Sequence, residues 1–398
     1  MKRFLVVVPP LAGHINPTIG MAHALLERGH EVAWAGVPDV IRLLVGPQAR
    51  VFACAAPLLG ESGQRPPEMR GAAALQFLWE QFLCPLARTM VPGVQAAVDE
   101  FAPDVLVVDQ QALAGALVAE RAGLPWVTSA TTSAELTDPL AEMPKVAAWL
   151  HELLADLRRC FGDPYADGDL RFSPYLTLAF TTEALVGPVR QRDGPIRFVG
   201  PSLGSRPDAD DFPWSWLDGK RPVVLVTLGT SNADAAPRFL GECVRALLSH
   251  PNRQAVIVDP GGSLGRVSEH MLVRRFAPQL RLLAHVDAVV CHAGHNTVCE
   301  TLSCGLPLVV APIRDDQPIV AKQVVDAGAG IRLRFSRATA AQIGAAVEAV
   351  LAEPKYRQAA RRVEESFRAA GGAIAAAGHL EELVSRTTVP VALQRRTS

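Results

Sequence analysis

Apolar runs of four or five residues recur along the 398 residues of this chain, each followed after a short turn by a helical stretch, and they constrain its fold more than any other feature. Phe4 to Val8 is the first. Asn16 and Pro17 then offer a helix cap and a first helical position. The helix they predict runs to Arg28, with Ile19, Ala22, Leu25 and Leu26 on one face, stops at Gly29, and hands over to a strand at Glu31 to Ala35. The same order returns at Pro103 to Asp109, a helix from about Leu113 to Ala122, Gly123, and the strand Pro125 to Thr128. Strands apolar on both faces need cover on both faces. The pattern therefore predicts an α/β fold with parallel sheets.

A polar, proline-rich stretch from Pro201 to Pro222 follows the strand Ile196 to Val199 and has the composition of a linker. Beyond it the alternation resumes, with strands at Val223 to Thr227, Ala255 to Val258, Ala288 to Cys291 and Leu308 to Ala311, and helices near Pro237 to Leu248 and from about His295. From Ala338 to Val384 the pattern is helical. A chain of this length exceeds what one core supports. The expected division is a Rossmann-like domain over 1–203, a linker over 204–221, a second Rossmann-like domain over 222–386 and a tail over 387–398.

A formal net charge of -1 and the lack of any long basic run argue against a nucleic-acid partner. The apolar run at the N-terminus is too short for a membrane span, so stable membrane insertion is not expected. Seven cysteines scattered from Cys54 to Cys304 are too sparse for a secreted disulfide scaffold and read as reduced cytoplasmic thiols.

Chemistry concentrates in two places. In the second half, His292-Ala293-Gly294-His295-Asn296-Thr297 joins a strand to a helix. Gly294 is expected to let the chain turn sharply, and the helix start offers backbone N–H groups to an anionic diphosphate. His292, Asn296 and Thr297 add side-chain donors, and Glu300, one turn on, can accept from both hydroxyls of a ribose.

These residues, with Phe276-Ala277-Pro278-Gln279 before them and Gly305, Pro307, Pro312 and Asp316-Gln317 after, resemble the nucleotide-sugar signature of the family 1 glycosyltransferases. The resemblance spans nearly the whole chain and is similar in character to the bacterial macrolide and enediyne enzymes. It implies a GT-B fold and a UDP- or dTDP-sugar co-substrate in place of a bound cofactor. It also implies Phe276 stacked on the nucleobase beside Ala277, Gln279 and Glu300 near base and ribose, and His292, Gly294, Asn296 and Thr297 at the diphosphate. Asp316 and Gln317 would meet sugar hydroxyls, and Thr230 and Ser231 match a second phosphate-side loop. Phe276 and His295 stand where many plant members have tryptophan.

In the first half, His14 lies at the C-terminal edge of the first strand and Asp109 ends another strand of the same sheet, where open α/β sheets bind ligands. An imidazole held by a carboxylate can take a proton from a hydroxyl. The resemblance implies the same pair as catalytic base and supporting acid. Phe77, Trp79 and Phe82, in the segment from Pro57 to Met90, and the segment Thr128 to Leu150 are expected to build a pocket for a planar or lipophilic acceptor. The expected reaction is inverting, metal-independent transfer of a sugar to a small-molecule hydroxyl.

Other readings are weaker. Cys291, His292, His295, Cys299 and Cys304 invite a zinc site but lack the paired tight motifs that zinc sites use. Gly261 to Gly265 has no Lys-Ser/Thr after it, so a P-loop is not expected. A nucleotide-sugar epimerase would need no acceptor pocket, and a non-catalytic helper would not need both half-sites.

Overall fold

The structure, a computed structural model, describes residues 1–54, 69, 71–190, 194–204, 212–229, 232 and 235–387. The apolar runs become two wholly parallel sheets with helices packed against them. In the first sheet the strands are β1 (Arg3–Val7), β2 (Glu31–Gly36), β3 (Val51–Ala53), β4 (Val105–Asp109), β5 (Trp126–Ala130), β6 (Thr177–Ala179) and β7 (Ile196–Phe198), in the order 3-2-1-4-5-6-7. In the second they are β8 (Val223–Thr227), β9 (Gln254–Val258), β10 (Met271–Arg274), β11 (Ala288–Cys291), β12 (Leu308–Val310) and β13 (Gly330–Arg332), in the order 10-9-8-11-12-13. The three-residue strands β3, β6 and β13, and β10 at the second sheet's edge, carry no strong apolar run, which is why the sequence pattern passes over them.

Each sheet reverses its strand order once, between β1 and β4 in the first and between β8 and β11 in the second. Connections leave in opposite directions at such a switch point, so a crevice opens beyond the strand ends. Val7 pairs with Val108 and Cys291 with Thr227, which puts His14 and Asp109 beside one crevice and His292 beside the other.

Two expectations change. The first helix spans Ala12–Glu27, so it starts before Asn16, and Pro17 lies inside it. Winding begins earlier because the Leu11 carbonyl already accepts from the backbone N–H of His14 and Ile15, while Leu11 itself is extended. The helix Gly372–Thr387, which the division above leaves in the second domain up to residue 386, packs on the first helix and the core of the first sheet instead. Its Ala376, Ala377, Leu380 and Val384 share a core with Phe4, Val6, Met21 and Leu25, and its Glu381 pairs with Arg28 at 2.6 Å. An apolar face at this spacing must be covered, and the first helix covers it. The tail beyond residue 387 and the linker residues 205–211 lie outside the described residues. Among the described residues no helix is long and apolar enough to cross a membrane.

Candidate active site

His14 sits in the first turn of its helix, and its Nδ1 lies 2.9 and 3.0 Å from the two carboxylate oxygens of Asp109. A carboxylate only accepts, so Nδ1 carries the proton and Nε2 keeps its lone pair. The Asp109 side chain has no exposed surface, whereas the His14 side chain is 15% exposed. Three further contacts hold the pair in place. The Thr131 hydroxyl donates to Asp109 Oδ2 at 2.6 Å, the same hydroxyl lies 2.8 Å from His14 Nδ1, and the backbone N–H of Gln111 donates to Asp109 Oδ1 at 2.8 Å. Burial pushes the His14 pKa down, but the charge and hydrogen bond of Asp109, joined by the charge of Asp316, outweigh it and leave the group above its ordinary value.

In the second half, the helix His295–Leu302 begins directly after the loop that follows β11. The residue with left-handed backbone there is Ala293, at φ 65°, whereas Gly294 has φ -63°. The sharp turn expected of Gly294 is therefore made by its neighbour. Gly294 is needed for another reason: a Cβ there would lie 2.3 Å from His292 Nε2. Gly229, at φ 68°, approaches the same ring, and a Cβ on it would stand 2.9 Å from His292 Cε1. The imidazole lies between two glycines. His292 is 8% exposed, its Nδ1 is buried with no partner among the described residues, and burial pushes its pKa down to about 4. It is neutral at pH 7.

Glu300, on the next turn, is buried and accepts from Gln279 Nε2 at 2.6 Å, so the expected base and ribose residues meet. Phe276 stays 58% exposed beside them, with its ring outside the core, while Ala277 is buried. Thr297 is buried in the first turn of the helix. Thr230 and Ser231 lie outside the described residues.

The chain is similar to known proteins along most of its length. Residues 257–383 match the family described as "Erythromycin biosynthesis protein CIII-like, C-terminal domain". The chain is similar to 4'-demethylrebeccamycin synthase of Lentzea aerocolonigenes, 29% identical over 96% of this chain and 99% of that protein. It is also similar to the NDP-glycosyltransferase YjiC of Bacillus subtilis, 26% identical over 98% and 100%. Among solved structures, the glycotransferase of kitacinnamycin superposes with a TM-score of 0.77 at 26% identity, covering 96% of this chain and 98% of that one. The chain has the GT-B fold and is similar to glycosyltransferases over nearly its whole length.

In this glycosyltransferase the two half-sites touch. Asn296 Nδ2 donates to the Gly13 carbonyl at 2.7 Å, so the side chain expected at the diphosphate is engaged with the opposite domain. Thr132 Oγ1 donates to Asp316 Oδ2 at 2.6 Å, and Ser133 Oγ donates to Gln323 Oε1 at 2.6 Å. Burial raises the Asp316 carboxyl above its ordinary value, against the Thr132 hydrogen bond. Gln317, expected on sugar hydroxyls, spends its side-chain oxygen on the backbone N–H groups of Ile313 and Arg314, at 2.9 and 3.1 Å. It holds the turn that presents Asp316.

Trp79 and Phe82, expected to line an acceptor pocket, are buried in the core of the first domain. The close packing of that core claims these rings, and only Phe77 of the three is partly exposed. Residues 57–68 of the same segment lie outside the described residues. His295 is also buried, with Nε2 3.5 Å from Cys299 Sγ, and burial pushes its pKa down to about 4. Among the described residues no three His, Cys, Asp or Glu side chains converge as metal ligands, so the zinc candidates do not come together.

Sequence reading missed Arg314 and the run Thr131-Thr132-Ser133. Arg314 Nε donates to Asn232 Oδ1 at 3.0 Å and sits close enough to His292 to lower its pKa further. Three consecutive hydroxyl residues directly after β5 were the available signal for the second group.

Proposed function

We propose that the enzyme moves a sugar from a UDP- or dTDP-linked donor to a hydroxyl of a small lipophilic or aromatic natural product, with inversion at the anomeric carbon and with His14 as general base. The observation that carries this reading is the His14 and Asp109 pair, with Nδ1 tied to the buried carboxylate and the imidazole itself partly exposed. The acceptor hydroxyl gives its proton to Nε2 as its oxygen attacks the anomeric carbon. The bond from that carbon to the diphosphate oxygen breaks, and the nucleoside diphosphate leaves with the electron pair. Asp109 stabilises the imidazolium formed.

The leaving charge is met by the free backbone N–H groups at His295, Asn296 and Thr297, by the orphaned Nδ1 side of His292 and by the Arg314 guanidinium. Those groups make a divalent cation unnecessary. Glu300, held by Gln279, receives the ribose hydroxyls, Phe276 offers its exposed ring to the base, and Asp316 receives sugar hydroxyls. The names of the relatives, with rebeccamycin and kitacinnamycin among them, support a natural-product acceptor in antibiotic biosynthesis.

The test is a matrix of UDP- and dTDP-sugars against phenolic and macrolide aglycones, read by mass and by the proton coupling at the new anomeric centre. An α-linked donor is expected to give a β-linked product. Retained configuration, or conversion of the donor sugar in the absence of any acceptor, would overturn the reading.

A further inference from the structure

In an α-helix each carbonyl accepts from the N–H four residues on, and a proline at that position removes the donor. Pro17 stands four residues after Gly13, inside the helix Ala12–Glu27. The carbonyl of Gly13 is thereby released from the helical ladder, and Asn296 Nδ2 from the other domain donates to it at 2.7 Å. The two partners flank the chemistry on both sides. Gly13 immediately precedes His14, and Asn296 is the second residue of the helix whose start faces the diphosphate. The two helices pack against one another here. A proline in this place weakens the helix it interrupts and would be replaced by any better helix former if stability alone mattered.

We propose that Pro17 and Asn296 are a pair of positioning residues. Pro17 keeps the Gly13 carbonyl free, and Asn296 uses it to set the distance between the base and the donor. Thr132 and Ser133 also bridge the two domains, but their bonds join side chains, whereas this one joins the backbone of the base's own helical turn. Its length fixes where His14 stands relative to the diphosphate end of the sugar. The proposal rests on the reading of His14 as base and of the His295 helix start as the diphosphate site.

A double-mutant cycle tests it. Pro17→Ala restores an N–H that competes for the Gly13 carbonyl, and Asn296→Ala removes the donor from the other side. Turnover is measured at saturating UDP-glucose or dTDP-glucose, whichever the donor matrix selects, with a planar phenolic aglycone. Each single variant is expected to lower kcat about 3- to 10-fold, the effect of one net hydrogen bond. The double variant is expected to fall no more than about twofold below the lower single, because both changes remove the same bond. UDP and dTDP affinities by calorimetry stay unchanged, and the melting temperature of Pro17→Ala stays equal or rises. Asn296→Asp, which sets an acceptor against an acceptor, is expected to be slower than Asn296→Ala.

Losses that multiply in the double variant, a Pro17→Ala enzyme with unaltered kcat, or an Asn296→Ala enzyme that loses UDP affinity while keeping kcat would each overturn the proposal. His14→Ala separates this from the reading beneath it. If that variant turns over normally, the base assignment has failed; if it does not, and the cycle is additive, the positioning pair alone has failed.

Discussion

Replacing Asp109 by Asn removes the charge from the His14 partner while keeping its size, and the consequence is a displaced pH profile. Unit charges about 4 Å apart interact by about 4 kcal/mol at an effective dielectric of about 20, equivalent to about 3 pK units. The separation in the enzyme is of that order, with 2.9 Å between the nearest atoms, and the carboxylate is fully buried, so solvent screens it little. Burial of the imidazole is the largest single influence and acts downward, and Asp109 more than reverses it. In Asp109→Asn burial acts with only the weaker pull of Asp316 against it, so His14 is expected to fall below its ordinary value of 6.5. The base must be neutral to accept a proton. Wild-type kcat/KM is therefore expected to drop as pH falls through a value above 6.5, and the variant's acid limb to lie roughly 1 to 3 units lower, above it a reduced plateau. Thermal denaturation gives an independent check of sign. A group whose folded pKa is raised stabilises the fold fully below its unfolded pKa and loses that effect as pH rises through the folded value. The wild-type advantage over the variant should be largest below about pH 6.5 and shrink at higher pH. Initial rates from pH 5 to 9 decide the matter: acid limbs that coincide, or a variant limb at higher pH, refute the electrostatic argument.

His14→Ala is expected to lower kcat by about 10²- to 10⁴-fold while UDP or dTDP affinity stays within twofold by calorimetry, since the donor groups lie in the other domain. Weakened nucleotide binding in that variant would place the donor site wrongly. Gly294→Ala drives a Cβ to 2.3 Å from His292 Nε2, so the ring must move. The expected result is at least tenfold weaker nucleotide binding, about one charge-assisted hydrogen bond, with circular dichroism unchanged. Normal binding would mean that His292 does not serve the diphosphate. Turnover in excess EDTA should equal turnover with added Mg²⁺ or Mn²⁺, and a loss on chelation that the metal restores would end the metal-independent reading.

The strands β1, β4, β8 and β11 were legible because each is buried on both faces and so reads as an unbroken apolar run. Three of the four edge strands, β3, β10 and β13, were not, because a short strand paired on one side only needs no such run. The places of His14, Asp109, His292 and Glu300 at strand ends and helix starts were legible because those boundaries are marked by residues only a few positions away. Arg314 and Thr131 were not, since an arginine in a loop and a threonine after a strand look the same whether or not they face a site. Trp79 and Phe82 misled for a related reason: an aromatic ring is equally suited to a pocket wall and to a core, and only packing separates the two.

Local rules written in the sequence determined two parallel sheets and the residue types at their strand ends, and the fold decided the strand order and its switch points. Period, strand length and glycine position act over a few residues and leave a trace in every segment. Tertiary structure decided what spans tens or hundreds of residues. The helix 372–387 returns to the first sheet because its apolar face finds cover there, and no residue near it announces that partner. Pro17 reads as a helix start until the fold winds the helix from Ala12 and brings Asn296, 283 residues from Gly13, against the carbonyl that the proline leaves free. The side chain expected to hold a phosphate is found joining two domains, because hydrogen bonds follow distance in space, and distance in space is set only when the whole chain has packed.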